Sequence, residues 1–130
     1  KIKPDVVFGC GGERDKKKRS KMANICEKNA DKIYLTDDNP RNENPKLIRR
    51  MIKSGFSKKL NFTEIPSRAE AVEAGVVRSK PNSIVLIAGK GHETTQTYGK
   101  KIIRRISNRS NIHEINNIWQ LKAKVKCLAR

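Results

Sequence analysis

Short apolar runs alternate along this chain with stretches in which apolar residues recur at helical spacing, the pattern of a parallel sheet joined by crossover helices. Val6-Val7-Phe8 reads as the first strand and closes at Gly9. Between Ser20 and Ala30, Met22, Ala23, Ile25 and Cys26 line one side of a helix, with Lys21, Asn24, Glu27 and Lys28 between them. Ile33 to Leu35 predicts a second strand. Asn44 then stands as cap before Pro45 at the first helical position, with Leu47, Ile48, Met51 and Ile52 as the buried stripe and Gly55 as the end. A weak strand from Phe62 to Ile65 precedes Ser67-Arg68-Ala69-Glu70, a capping box that opens a helix running to about Ser79. Ile84-Val85-Leu86-Ile87-Ala88 is apolar throughout, as in a strand covered on both faces. Past Gly89 a hairpin turns at Tyr98-Gly99-Lys100, with Lys101 to Ile106 as its edge strand. A last helix carrying Ile112, Ile115, Ile118 and Leu121 packs back on the sheet, and Lys122 to Arg130 form a basic tail.

These elements predict an α/β, Rossmann-like three-layer domain with a mostly parallel sheet and one antiparallel edge hairpin. A chain of 130 residues is accounted for by one such domain. Cys10, Cys26 and Cys127 are odd in number and scattered, which fits reduced thiols in the cytoplasm and argues against a disulfide framework or a four-ligand zinc site. No metal site is expected. No apolar run approaches the ~18 residues of a membrane span, so no membrane partner is expected either.

A formal charge of +17 invites a nucleic-acid reading. The basic residues are nevertheless spread over Lys16-Lys17-Lys18-Arg19, Arg49-Arg50, Lys58-Lys59, Lys100-Lys101 and Arg104-Arg105, and aromatics are not interleaved with them. A lysine-rich solvated surface that gathers anionic ligands is the favoured reading. A basic α/β nucleic-acid-binding module is the alternative.

Ligands of doubly wound sheets sit beyond the carboxyl ends of the strands, where three loops fall: 9–19, 36–44 and 89–95. The first, Gly9-Cys10-Gly11-Gly12-Glu13-Arg14-Asp15, lets the backbone come close to a ligand but lacks the dinucleotide fingerprint. In the second, Pro40 fixes its own φ and keeps Asn39 extended, so that Asp38, Asn39 and Arg41 project from one rigid stretch; an Asx turn closing its own backbone is the bland reading. The third, Gly89-Lys90-Gly91-His92-Glu93, sets a cation, an imidazole and a carboxylate side by side without the spacing of a P-loop. Asp38 and Glu93 together suit an ammonium group, and Arg14 and Arg41 suit carboxylates. The set asks for a ligand carrying both charges.

Phe8 to Asp15, Asp37 to Arg41, Ser67 to Ala71 and Ala88 to Glu93 resemble, in order and spacing, motifs of the C-terminal domain of the Mur ligases, closest to the diaminopimelate-adding members, over roughly residues 4–117. The resemblance implies an ATP-dependent ligase of peptidoglycan synthesis in which ATP phosphorylates the D-glutamate carboxylate of UDP-N-acetylmuramoyl-L-alanyl-D-glutamate and the amine of meso-diaminopimelate then forms the amide. It implies that Arg14, Asp38, Asn39, Pro40, Arg41, Gly89 and Glu93 line the diaminopimelate pocket, with Glu13, Asp15, Lys90 and His92 as supporting positions and no catalytic residue on this chain. ATP, Mg2+ and the UDP-sugar are expected on the family's other two domains. Against the family pattern the chain is expected to begin after the domain's first strand, so that 1–117 is a truncated domain and 118–130 the end of the last helix and tail. A fragment of this kind is expected to be inactive alone, or to be a remnant without function.

Overall fold

The computed structural model describes residues 2–57, 62–89 and 93–104. Four parallel strands form the main sheet in the order β3-β2-β1-β4, with β1 at Asp5–Phe8, β2 at Ile33–Leu35, β3 at Phe62–Glu64 and β4 at Val85–Ile87. Three helices, α1 (Lys17–Asn29), α2 (Pro45–Lys53) and α3 (Arg68–Val77), complete the layers. Alternation along the strands sorts the core. On one face Val6, Phe8, Ile33 and Leu35 meet Ala23 of α1 and Ile48 and Ile52 of α2. On the other, Val7, Tyr34, Val85 and Ile87 meet Ala71 and Val72 of α3. Each large side chain removed from water here, such as Leu35 or Ile52, contributes about 1.5–3 kcal/mol. Phe56 adds a rim to the first cluster, edge-on to Phe8 and stacked on Phe62.

Both capped helix starts follow their sequence signals: the Asn44 side chain accepts from the Lys46 amide, and Ser67 Oγ accepts from the Glu70 amide. The helical faces differ from expectation. α1 begins at Lys17, and its inward stripe runs through Arg19, Met22, Ala23 and Cys26, which leaves Ile25 60 % exposed. In α2, Ile48, Arg49 and Ile52 are buried while Leu47 and Met51 lie at the surface, because a short helix over a narrow sheet has room for only one side. Gly55 does not end α2 by a left-handed turn; it lets Ser20 of α1 pack close, since a Cβ there would overlap the Ser20 carbonyl. β4 is an edge strand of the described sheet, yet both its faces are covered, Val85 and Ile87 lying in the α3-side cluster and Leu86 and Ala88 against the other; only Ile84, just before it, is exposed.

The hairpin, β5 (Thr95–Tyr98) with β6 (Lys101–Arg104), turns where expected and forms a two-stranded antiparallel sheet of its own. A bridge between Arg41 and Tyr98 ties it to the loop after β2, with the Arg41 amide donating to the Thr97 carbonyl at 2.9 Å. The last helix, the basic tail, Cys127, and Lys90, Gly91 and His92 lie outside the described residues. Cys10 and Cys26 are free thiols whose pKa values burial pushes up to about 11.

Candidate functional site

The loops after β1 and β2 touch because glycine permits it. The Gly12 amide donates to the Asn39 carbonyl at 2.7 Å, and Arg41 Nη1 donates back to the Gly12 carbonyl at 2.8 Å. A Cβ on Gly12 would overlap the Pro40 carbonyl oxygen, so no larger residue fits that crossing. On either side of it Glu13 (φ 54°) and Arg41 (φ 53°) adopt left-handed backbone, a conformation that costs an ordinary side chain roughly 1–3 kcal/mol and persists only where the surroundings enforce it.

The Arg41 guanidinium and the aliphatic stem of Arg14 both lie over Gly11. A Cβ built on Gly11 would lie 3.0 Å from Arg41 Nη1 and 3.4 Å from Arg14 Cγ. Neither arginine has a carboxylate partner among the described residues, unlike Arg19 and Arg49. Asn39 does not close its own backbone, as an Asx turn would. Its Oδ1 accepts from the Thr97 amide at 3.0 Å and its Nδ2 donates to Glu93 Oε2 at 3.2 Å, so this one amide joins the second loop to the third and to the hairpin. Asp38 faces the third loop as well: a Cβ on Gly89, which sits at φ 114°, would lie 2.8 Å from Asp38 Oδ2 and 3.5 Å from Arg68 Nη2. Pro40 is fully buried beneath the crossing. Of the supporting positions, Glu13 accepts from Asn42 Nδ2 at 2.8 Å, and Asp15 accepts from the Lys17 amide at 2.9 Å, where it starts α1. The described candidates are thus gathered at one edge of the sheet, cations over the first loop and carboxylates toward the third.

Beneath them lies a layer of buried charge that the sequence reading did not anticipate. Asp37, next to the second loop's Asp38, accepts from Arg49 of α2 through a short ion pair and from Tyr98 Oη at 2.9 Å. Its carbonyl receives Gln96 Nε2 at 3.2 Å. Arg49 continues to Glu64 Oε1 at 2.8 Å, and Glu64 to Lys53. Burial together with the hydrogen bond to Asp37 pushes the Tyr98 phenol far above its ordinary value. A second pair joins buried Arg19, 1 % exposed, to partly buried Glu43: Nη1 to Oε2 at 2.9 Å and Nη2 to Oε1 at 3.0 Å. The hydrogen bond from Arg19 and another from the Glu13 amide draw the Glu43 carboxyl down to about 2. One sequence signal pointed at Arg19, since the Met22, Ala23 and Cys26 stripe carried back one turn lands on it.

The described residues carry neither a metal-ligand cluster nor a P-loop: they hold no group of three His, Cys, Asp or Glu able to bind a metal ion, and their loops carry no P-loop lysine followed by Ser or Thr. No helix among them is long and apolar enough to cross a membrane.

Residues 4–91 match the family described as Mur ligase, glutamate ligase domain. A UDP-N-acetylmuramoyl-L-alanyl-D-glutamate--2,6-diaminopimelate ligase from Rickettsia montanensis is 56 % identical over 99 residues, 76 % of this chain and 20 % of that protein. The ligase of the same description from Coxiella burnetii is 50 % identical over 97 residues, covering 75 % and 20 %. A solved structure of a UDP-N-acetylmuramoyl-L-alanyl-D-glutamate--2,6-diaminopimelate ligase superimposes with a TM-score of 0.76 at 31 % identity, over 95 % of this chain and 25 % of that one. The chain therefore spans about a fifth of the length of the curated relatives it matches.

Proposed function

The chain belongs to the Mur ligase family, and we propose that it is the part of an ATP-dependent ligase that recognises meso-diaminopimelate for addition to UDP-N-acetylmuramoyl-L-alanyl-D-glutamate. The observation that carries this reading is that the Arg41 guanidinium and the Arg14 stem lie side by side over Gly11, neither arginine having a carboxylate partner among the described residues. Two guanidinium groups left in this state at the carboxyl edge of a parallel sheet form a receptor for carboxylate, and a fork of donors reads a planar anion better than a point charge does. Asp38 and Glu93, on the side of the third loop, supply the negative charge that an ammonium group of the same ligand needs. Asn39 and Pro40 hold the second loop in shape, and Gly89 leaves room for the Asp38 carboxylate. Glu13 and Asp15 support this set from the flank of the first loop, and Lys90 and His92 are carried as supporting positions on the sequence alone.

The role of the chain in this scheme is to bind and orient the amino acid. Arg41 answers the distal carboxylate that separates diaminopimelate from lysine, because a cation built for that group is left unsatisfied when lysine binds. ATP, Mg2+ and the UDP-sugar belong to other parts of the enzyme. The reaction is assigned to the cytoplasm, where thiols such as Cys10 and Cys26 stay reduced. The basic composition favours no second reading, since Arg19 and Arg49, drawn from two of the basic clusters, are turned inward and paired.

Calorimetric titration of meso-diaminopimelate into the chain and into Arg41→Ala tests the assignment. Binding by the parent with a loss of about tenfold or more in the variant is expected, the cost of one charge-assisted contact to a carboxylate. Equal heats for the two would remove Arg41 from the pocket.

A further inference from the structure

Arg14 and Arg41 stand on different loops, and something must fix the distance between them. The Gly12 and Asn39 backbones contribute, but the only charged pair among the described residues that spans the two loops is Arg19–Glu43. Glu43 stands just beyond Arg41 in the second loop and accepts from the Glu13 amide, adjacent to Arg14, at 2.6 Å. Arg19 grips both Glu43 oxygens and at the same time donates from Nη2 to the carbonyl of Gly11, the residue over which both site arginines pass, at 3.0 Å. The fork is bidentate, with Arg19 buried and the Glu43 side chain 22 % exposed, so it fixes two oxygens at once as a single-contact surface bridge does not. Its reach also covers Glu13, one of the two left-handed residues that flank the loop crossing, and so helps enforce a conformation that the chain would not keep unaided.

We propose that Arg19 and Glu43 are positioning residues that set the spacing between Arg14 and Arg41, and through it the preference for an amino acid bearing a second carboxylate. This rests on the reading of the pocket given above. A ligand held at one carboxylate tolerates a shift of one loop; a ligand that uses both arginines does not. Loosening the clamp therefore weakens the dicarboxylate selectively, whereas general destabilisation weakens every ligand alike.

The test uses the 130-residue chain, its Glu43→Gln variant, which keeps shape and one acceptor oxygen, and Glu73→Gln on the exposed part of α3 as a control for removal of charge. Affinities for meso-diaminopimelate and L-lysine are measured by calorimetry below the melting transition, together with amide hydrogen exchange. In Glu43→Gln the ratio of the two affinities is expected to fall by about tenfold. Exchange is expected to quicken at Gly12 and Glu13 while the amides of β1 and β2 keep their protection, with Glu73→Gln matching the parent throughout. Parallel weakening for both amino acids, or no change for either, overturns the proposal. If the parent binds neither amino acid, it is the ligand assignment that falls; the exchange data then decide the clamp, unchanged rates at Gly12 and Glu13 refuting it and faster rates upholding its hold on the two loops.

Discussion

Asp37→Asn strips a charge from the buried network under the second loop while barely altering shape. Asp37 is 6 % exposed and its carboxylate receives both Arg49 and Tyr98. Removing one partner of a buried ion pair costs about 3–5 kcal/mol when the other charge is left without compensation. Here compensation is partial. Arg49, 5 % exposed, keeps Glu64 through Nε at 2.8 Å, but Glu64 is solvated on one side and shares its charge with Lys53. The amide oxygen of the new residue can still accept from Tyr98. These offsets place the loss at about 2–3 kcal/mol, and at 4–8 °C for each kcal/mol in a domain of this size the melting midpoint should drop by about 10–20 °C. Thermal unfolding followed by circular dichroism measures it, with urea titration to show that the slope of the transition is unchanged. A drop of less than about 4 °C would mean that the pair contributes no more than a surface bridge, and the account of a charged layer supporting the loops would be wrong.

Two further outcomes follow from the same geometry. Gly12→Ala drives a methyl into the Pro40 carbonyl and forces the first two loops apart; it should lower stability by about 1–3 kcal/mol, as overpacking does, and abolish the calorimetric signal for meso-diaminopimelate. Tyr98 titrates above its unfolded value, so its contribution is fully present below about pH 10 and is lost as pH rises beyond that point; urea midpoints should fall above pH 10 in the parent and fall less steeply in Tyr98→Phe.

Strands β1, β2 and β4 were legible because buried parallel strands are written as unbroken apolar runs, and α2 because Asn44-Pro45 is a start signal that depends on nothing outside itself. The first two loops of the candidate site were legible for the same reason: proline, glycine and charge at strand ends declare themselves locally. The inward arginines were not. Arg19 sits in the run Lys16-Lys17-Lys18-Arg19 and Arg49 beside Arg50; the helical stripe of α1 points at Arg19, but the partners that hold each cation inside are Glu43 and Asp37, which are distant in sequence and not announced by either neighbourhood. The apolar stripe of α1 was misplaced around Ile25 because only the sheet determines which of two adjacent faces is covered. Asn39 shows the same limit: an Asx turn and a bridge to Thr97 and Glu93 begin from identical residues, and only tertiary contacts choose between them.

The left-handed backbone at Arg41 has an evolutionary consequence. The residue assigned to select the substrate occupies a conformation that glycine would adopt without strain, so Arg41→Gly relaxes the main chain while erasing the recognition group. The Arg41 guanidinium also donates to the Gly12 carbonyl, so on the proposed assignment one strained residue both ties the two loops and discriminates between ligands, and neither task can be tuned without the other.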